Sequence, residues 1–111
     1  MIARSHMSDV VILKPHGAMM GGPETVEFRS ALEELLAKGL KKVVVDLKDV
    51  KWINAAGIGI LVESLYRLRE MKGDLKLARC CERIGWMMSL LKMENVFPHY
   101  DSLDNAVASF A

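Results

Sequence analysis

Cysteine is scarce in this sequence. The 111 residues hold two, and they are neighbours, Cys80 and Cys81. A vicinal pair closes a disulfide only through a strained ring and lacks the spacing of a redox or zinc CxxC motif. The two read as structural or incidental thiols in a reduced, cytoplasmic protein. Long apolar runs are missing as well: none approaches the roughly 20 residues that span a bilayer. An excess of one charge is also lacking, with 15 Lys and Arg against 14 Asp and Glu, a formal net charge of +1. That balance gives no support for nucleic-acid or membrane binding driven by charge, and leaves a protein or a small molecule as partner. The opening MIARSHM has no continuous apolar core of the kind a secretory leader needs. It reads as an expression remnant, so residues 1–6 are set aside and a single domain is expected over 7–111.

The groups an enzyme needs are equally sparse. His16 and His99 lie far apart in loop contexts, with no HExxH or other metal spacing. No G-x-S-x-G and no lysine-bearing phosphate loop occurs. The Gly57-Ile58-Gly59 run fails the dinucleotide fingerprint, because the position of the third glycine is Val62. Its glycines suit close approach of another backbone. Asp46 and Asp49 read as solvated loop acids. Trp52 and Trp86 read first as core and second as anchors of a protein interface. Met19, Met20, Met87 and Met88 read as adaptable packing. No catalytic residue, metal site or cofactor is expected.

What is present is a core. Hydrophobic residues make up 51% of the chain and charged ones 26%. VVILKP (10–15) is a β-branched strand ended by a proline. Glycines 17, 21 and 22 mark a loop with a brief strand at 17–19. Pro23 and Glu24 suit the first turn of a helix whose apolar positions are Phe28, Ala31, Leu32, Leu35 and Leu36, with Gly39 beyond its end. KKVVVDL is a strand buried on both faces, and KDVKW a polar break. Asn54 then caps a helix striped with Ile58, Leu61, Leu65 and Leu68 and closed by Gly73. DLKLA is a strand, 82–93 a third helix, NVFPHY a short extended piece, and a last helix runs from Asp101 or Ser102 to Phe110. This alternation predicts an α/β domain with a largely parallel sheet.

The junction WINAAGIG (52–59) has the geometry of a site, with free backbone amides at a helix start, but neither alanine carries a hydroxyl, a charge or a ligand atom. The surrounding segment, KKVVVDLKDVKWINAAGIGILVESLYRLREMKGDLKLARC, resembles the centre of STAS domains of the anti-sigma factor antagonist type. In those a strand ends in Asp-Leu and the next helix opens on Asp-Ser-Ser-Gly or Asp-Ser-Thr-Gly, with a further glycine two positions on. Asp46-Leu47, Asn54-Ala55-Ala56-Gly57 and Gly59 occupy these positions. LKPHGAMMGGPETVEFRSALEELLAKG and LLKMENVFPHYDSLDNAVASF resemble the family's flanks.

The resemblance implies a small, mixed, mostly parallel sheet with helices mainly on one face. It also implies a non-enzymatic protein-binding regulator that acts by partner switching on an anti-sigma factor that is also a serine kinase. The contact surface would comprise Asn54, Ala55, Ala56, Gly57, Ile58 and Gly59, with Met19, Met20, Gly21 and Gly22 from the loop before the first helix. The family's phosphoacceptor falls on Ala56, its neighbouring serine on Ala55 and its acidic cap on Asn54. The switch atom is therefore absent. The expectations that follow are an antagonist locked in its binding state, or a constitutive STAS scaffold or subunit of a stress-signalling or lipid-transport assembly, or a substitution introduced at 56.

Overall fold

A computed structural model describes residues 2–111. Strand β1 (Ile2–Met7) turns through Ser8 and Asp9 into β2 (Val10–Pro15), its antiparallel partner in the register Met7 to Val10. Residues 2–6, set apart in the sequence reading, are thus part of the folded sheet. A short β3 (Gly17–Met19) leads into α1 (Pro23–Ala37). β4 (Lys42–Asp46), β5 (Val50–Ile53) and α2 (Ala55–Glu70) follow. The chain ends with β6 (Asp74–Ala78), α3 (Glu82–Leu90), β7 (His99–Tyr100) and α4 (Leu103–Ala108). The main sheet has the order β1-β2-β4-β6-β7, parallel from β2 onward, and β3 and β5 form a separate parallel pair.

The continuous apolar strands follow from burial on two faces. Val11, Leu13, Val43, Val45, Leu75 and Leu77 point into the main core with Phe28, Leu32, Leu35, Leu61, Leu65 and Leu68 from α1 and α2 and Ile84 from α3. Val10, Ile12, Val44 and Ala78 alternate to the other face, where Ala106 of α4 covers them. Three helices therefore sit on one face and one short helix on the other. Lys76 faces α4 and fixes its end: its ammonium donates to Ser109 O at 3.0 Å and Oγ at 2.8 Å and lies 4.0 Å from the Phe110 ring centre.

Three helices close by the same motif, in which a left-handed residue lets two amides reach back to free carbonyls. After α1 that residue is Gly39, at φ +73°, as its position predicts. After α2 and α3 it is a lysine. Lys72 (φ +63°) donates to Arg69 O while Gly73 donates to Leu68 O at 2.8 Å, and Lys92 (φ +56°) donates to Ser89 O while Met93 donates to Met88 O at 2.8 Å. So Gly73 does not supply the turn. It is required because a Cβ there would overlap Lys41 O and lie 2.6 Å from Lys41 Cβ. The helix expected over 82–93 ends at Leu90 for the same reason. The polar break before Ile53 is in part a strand, since Val50 and Ile53 are buried while Lys51 and Trp52 face outward.

Candidate functional site

The start of α2 is built by Asn54. Its backbone is extended (φ −118°, ψ −175°), and its Oδ1 accepts from the Gly57 amide at 3.0 Å, the N-cap geometry. The same side chain works outward as well. Its Nδ2 donates to Met20 O at 3.0 Å, and its own amide donates to Met19 O at 3.3 Å. One asparagine therefore caps the helix and ties the 19–22 loop alongside it. An aspartate could do the first and not the second, because a carboxylate has no N–H to give Met20 O.

The loop is held from its other end by Glu24, whose Oε1 accepts from the amides of Met20 at 2.7 Å and Gly22 at 3.1 Å. These donors, Met20 first, then the residue's own amide and that of Gly22, hold its carboxyl below the usual glutamate value. Sequence reasoning gave Glu24 only a role at the positive end of α1. The signal that it organises the loop was a carboxylate just behind Gly-Gly-Pro, within reach of the amides that glycines leave uncovered.

Two glycines set the distance between loop and helix. Gly21, at φ +89°, lies over Ala56: a Cβ on it would be 2.9 Å from the alanine Cβ. Gly57 rests on β3, where a Cβ would overlap Met19 O. The expectation of close backbone approach thus holds at Gly57. It does not hold at Gly59, which has open space around its Cα.

The residues expected at the contact surface divide into two sets. Met20, Gly21, Ala55, Ala56 and Gly59 are exposed, and Asn54 and Gly22 half-buried. Met19, Gly57 and Ile58 are buried, Met19 and Ile58 in the main core, and they support the surface from beneath. The amides of Ala55 and Ala56 meet no acceptor among the described residues. Ser64, farther along α2, is buried with its hydroxyl donating to Ile60 O at 2.8 Å.

Elsewhere the acids and tryptophans depart from expectation. Asp46 is not a solvated loop acid: its side chain is 1% exposed and takes a two-pronged pair from Arg79, with Nε on Oδ1 at 3.0 Å and Nη2 on Oδ2. The expected strand end forced it inward. Asp49 is nearer the surface, 3.4 Å from both Lys14 and His16. Trp52 and Trp86 are not core but are 55% and 64% exposed. Trp86 falls off the buried Ile84–Met88 stripe of α3, and Trp52 is turned outward where β5 breaks its alternation, Lys51 and Trp52 both being exposed at the register shift opposite Gly17 and Ala18. Among the described residues no three His, Cys, Asp or Glu side chains are grouped to hold a metal ion. No helix there is long and apolar enough to cross a membrane.

A family model described as the STAS domain matches residues 2–106. Proteins designated anti-sigma factor antagonists from Thermotoga neapolitana and Thermotoga maritima are each 26% identical over 101 residues, covering 91% of this chain and 89% of theirs. The crystal structure of the Thermotoga maritima protein superposes with a TM-score of 0.89 at 25% identity, over 97% of this chain and 92% of that one. The Bacillus protein SpoIIAA in its phosphorylated form shares the fold, with a TM-score of 0.76 at 9% identity and full coverage of both chains.

Proposed function

Because the chain belongs to the STAS domain family, we propose that it is a non-enzymatic cytoplasmic regulator of the anti-sigma factor antagonist kind, acting by docking on an anti-sigma factor that is also a serine kinase. It would do so through the start of α2 and the adjoining 19–22 loop. The observation that carries this reading is the exposed pair Ala55 and Ala56 on the first turn of α2, flanked by a loop that Asn54 and Glu24 hold in place. The surface is preformed, so little ordering is needed for a partner to bind.

The same pair determines the character of the regulation. A phosphoryl group at this position would place nearly two negative charges against a partner and disrupt a tight contact. Alanine accepts none, and the serine that follows in α2 is buried. In this reading the protein stays in its binding state whatever the kinase does. The same alanines suit a second role, a constitutive subunit of a stress-signalling or lipid-transport assembly.

The test uses this chain and its Ala56→Ser variant as baits in lysate of the source organism, with and without ATP, with each bait weighed intact afterwards. Capture of an ATPase-fold kinase by both, with only the serine bait gaining a phosphoryl group and then releasing it, is the expected result. Equal capture of a transporter or sensor subunit by both baits, with ATP changing nothing, moves the protein to the assembly role. With a captured kinase in hand, Ala56→Asp should weaken binding by more than about tenfold, near 1.4 kcal/mol. Unchanged affinity by titration calorimetry would remove the α2 start from the interface.

A further inference from the structure

An apolar groove lies where β5 meets α3. Trp52 and Trp86 are the two tryptophans of the chain, and with Ile53, Arg83, Ile84 and Met87 they line a groove of about 230 Å³. Its floor is rigid, because Ile53 and Ile84 belong to the main core. Its walls are two exposed indoles and a half-buried thioether, the side chains that most often anchor and adapt at protein contacts.

Arg83 gives the groove its charge. The chain has six arginines. Arg4, Arg29, Arg67, Arg69 and Arg79 each pair with a carboxylate. Arg83 does not, among the described residues. Its guanidinium lies 4.0 Å from the Trp52 ring centre and donates from Nη1 to Lys51 O at 3.2 Å. Lys51, beside it, likewise has no carboxylate partner among the described residues, its ammonium reaching only Lys48 O at 3.4 Å. Stacking fixes the indole as a wall and leaves the outer edge of the guanidinium without an anion.

We infer that this groove is a docking site for a segment of a partner protein carrying a bulky apolar side chain flanked by carboxylates. The apolar side chain enters between Trp52 and Trp86, and an acid meets Arg83 and Lys51. The volume favours an anchor side chain over a free metabolite, since small-molecule sites run to about 300–1,000 Å³. The shape and charge favour a protein over a membrane. The aromatics line a concavity, and α3 carries one basic residue in nine against the strongly basic face of an interfacial helix. The groove adjoins the α2 start through Ile53, whose Cγ1 lies against Gly57, but Trp52, Arg83 and Trp86 are not among the residues proposed there, and the inference does not depend on that function.

Because the two tryptophans both line the groove, intrinsic fluorescence reports its occupancy. The probe is a display library of random short peptides selected on the full chain, with counter-selection on Trp86→Ser. Enriched peptides should carry a Leu, Met or aromatic residue next to Asp or Glu, and should shift the emission to the blue on binding. Trp86→Ser and Arg83→Glu should each weaken them by more than about tenfold, and selection on Arg83→Glu should favour basic flanks instead. Ala56→Asp should leave peptide binding unchanged, which separates this site from the α2 surface. Thermal melts of both groove variants check their folding, and either alone suffices, as both side chains are exposed. No enrichment, enriched peptides indifferent to both substitutions, quenching only by phosphatidylglycerol vesicles, or self-association by sedimentation that Trp86→Ser abolishes would each overturn the proposal.

Discussion

Replacing Gly57 by alanine tests whether the 19–22 loop and α2 are joined as described. The added Cβ would overlap Met19 O and lie 2.8 Å from Met19 C and from Ile53 Cγ1. Two of these neighbours are backbone of β3, and that backbone is fastened to the same helix start by both Asn54 bonds. It cannot withdraw without breaking them. Overpacking of this kind costs about 1–3 kcal/mol, and each hydrogen bond lost adds about 0.5–1.5 kcal/mol. Alanine in place of glycine in a helix returns about 1 kcal/mol. The net expectation is a loss of about 3 kcal/mol, or a fall in Tm on the order of 10 °C for a domain of this size. Gly59→Ala is the control: with open space around it, it should stabilise by about 0.5–1 kcal/mol. Urea unfolding with an unchanged slope reads both. If Gly57→Ala stays within about 0.5 kcal/mol of the parent, the helix does not rest on β3 as described. If Gly59→Ala falls as far as Gly57→Ala, the effect belongs to helical glycines in general and not to this contact.

Three further predictions concern ionisable groups. Arg79→Met should destabilise more than Asp46→Ala, since it leaves a carboxylate 1% exposed without its partner whereas the arginine side chain is 30% exposed and can turn to water; the first should cost about 3–5 kcal/mol by urea unfolding, and equal, negligible effects would refute the buried pair. Burial pushes the Cys80 thiol up to about 11 from 9.0. In a Cys81→Ser background it should therefore resist thiol reagents at pH 8 until the protein unfolds, and its contribution to stability, complete below pH 9.0, should fade as pH rises toward 11; rapid labelling of native protein at pH 8 would contradict this. The Glu24 carboxyl, held below 4.5 by backbone donors, stabilises the loop above that pH and loses its hold as pH falls through its own lower value; the Met20 and Gly22 amide resonances should titrate together with a midpoint below 4.5, and a midpoint at or above it would refute the contacts.

Much of the fold was legible because its strands and helices repeat a simple pattern. The β-branched Val43–Val45 run reads as a two-faced strand, and the Ile58, Leu61, Leu65, Leu68 stripe as one face of a helix, and both are so. What escaped were elements with too few apolar positions to show a period. β5 buries only two, Val50 and Ile53, and β1, set aside in the sequence reading as an expression remnant, half-buries only Ile2. β1 is held by backbone pairing with β2 and by Arg4 on Glu34, contacts that leave no periodic trace in the sequence. The helix ends were misjudged for a related reason. Glycine is the readable signal of a left-handed closure, yet Lys72 and Lys92 perform it, and the nearby Gly73 serves packing instead.

The strand-to-helix junction at Asn-Ala-Ala-Gly was legible in the sequence because it is a local feature. Its construction is not local. Asn54 reaches 34 positions back to Met20, and Gly21 meets Ala56 across a similar span of sequence; neither contact leaves a periodic trace. These contacts give the alanines a structural meaning that their chemistry alone does not. With Gly21 lying over the Ala56 methyl group, a larger side chain at 56 must turn outward, toward solvent or a partner. Serine there would present its hydroxyl on the surface while the capping bonds of Asn54 stay intact. Ala56→Ser is therefore a surgical change, one oxygen added to an otherwise unaltered surface, and any difference it makes to a partner in the presence of ATP belongs to that oxygen.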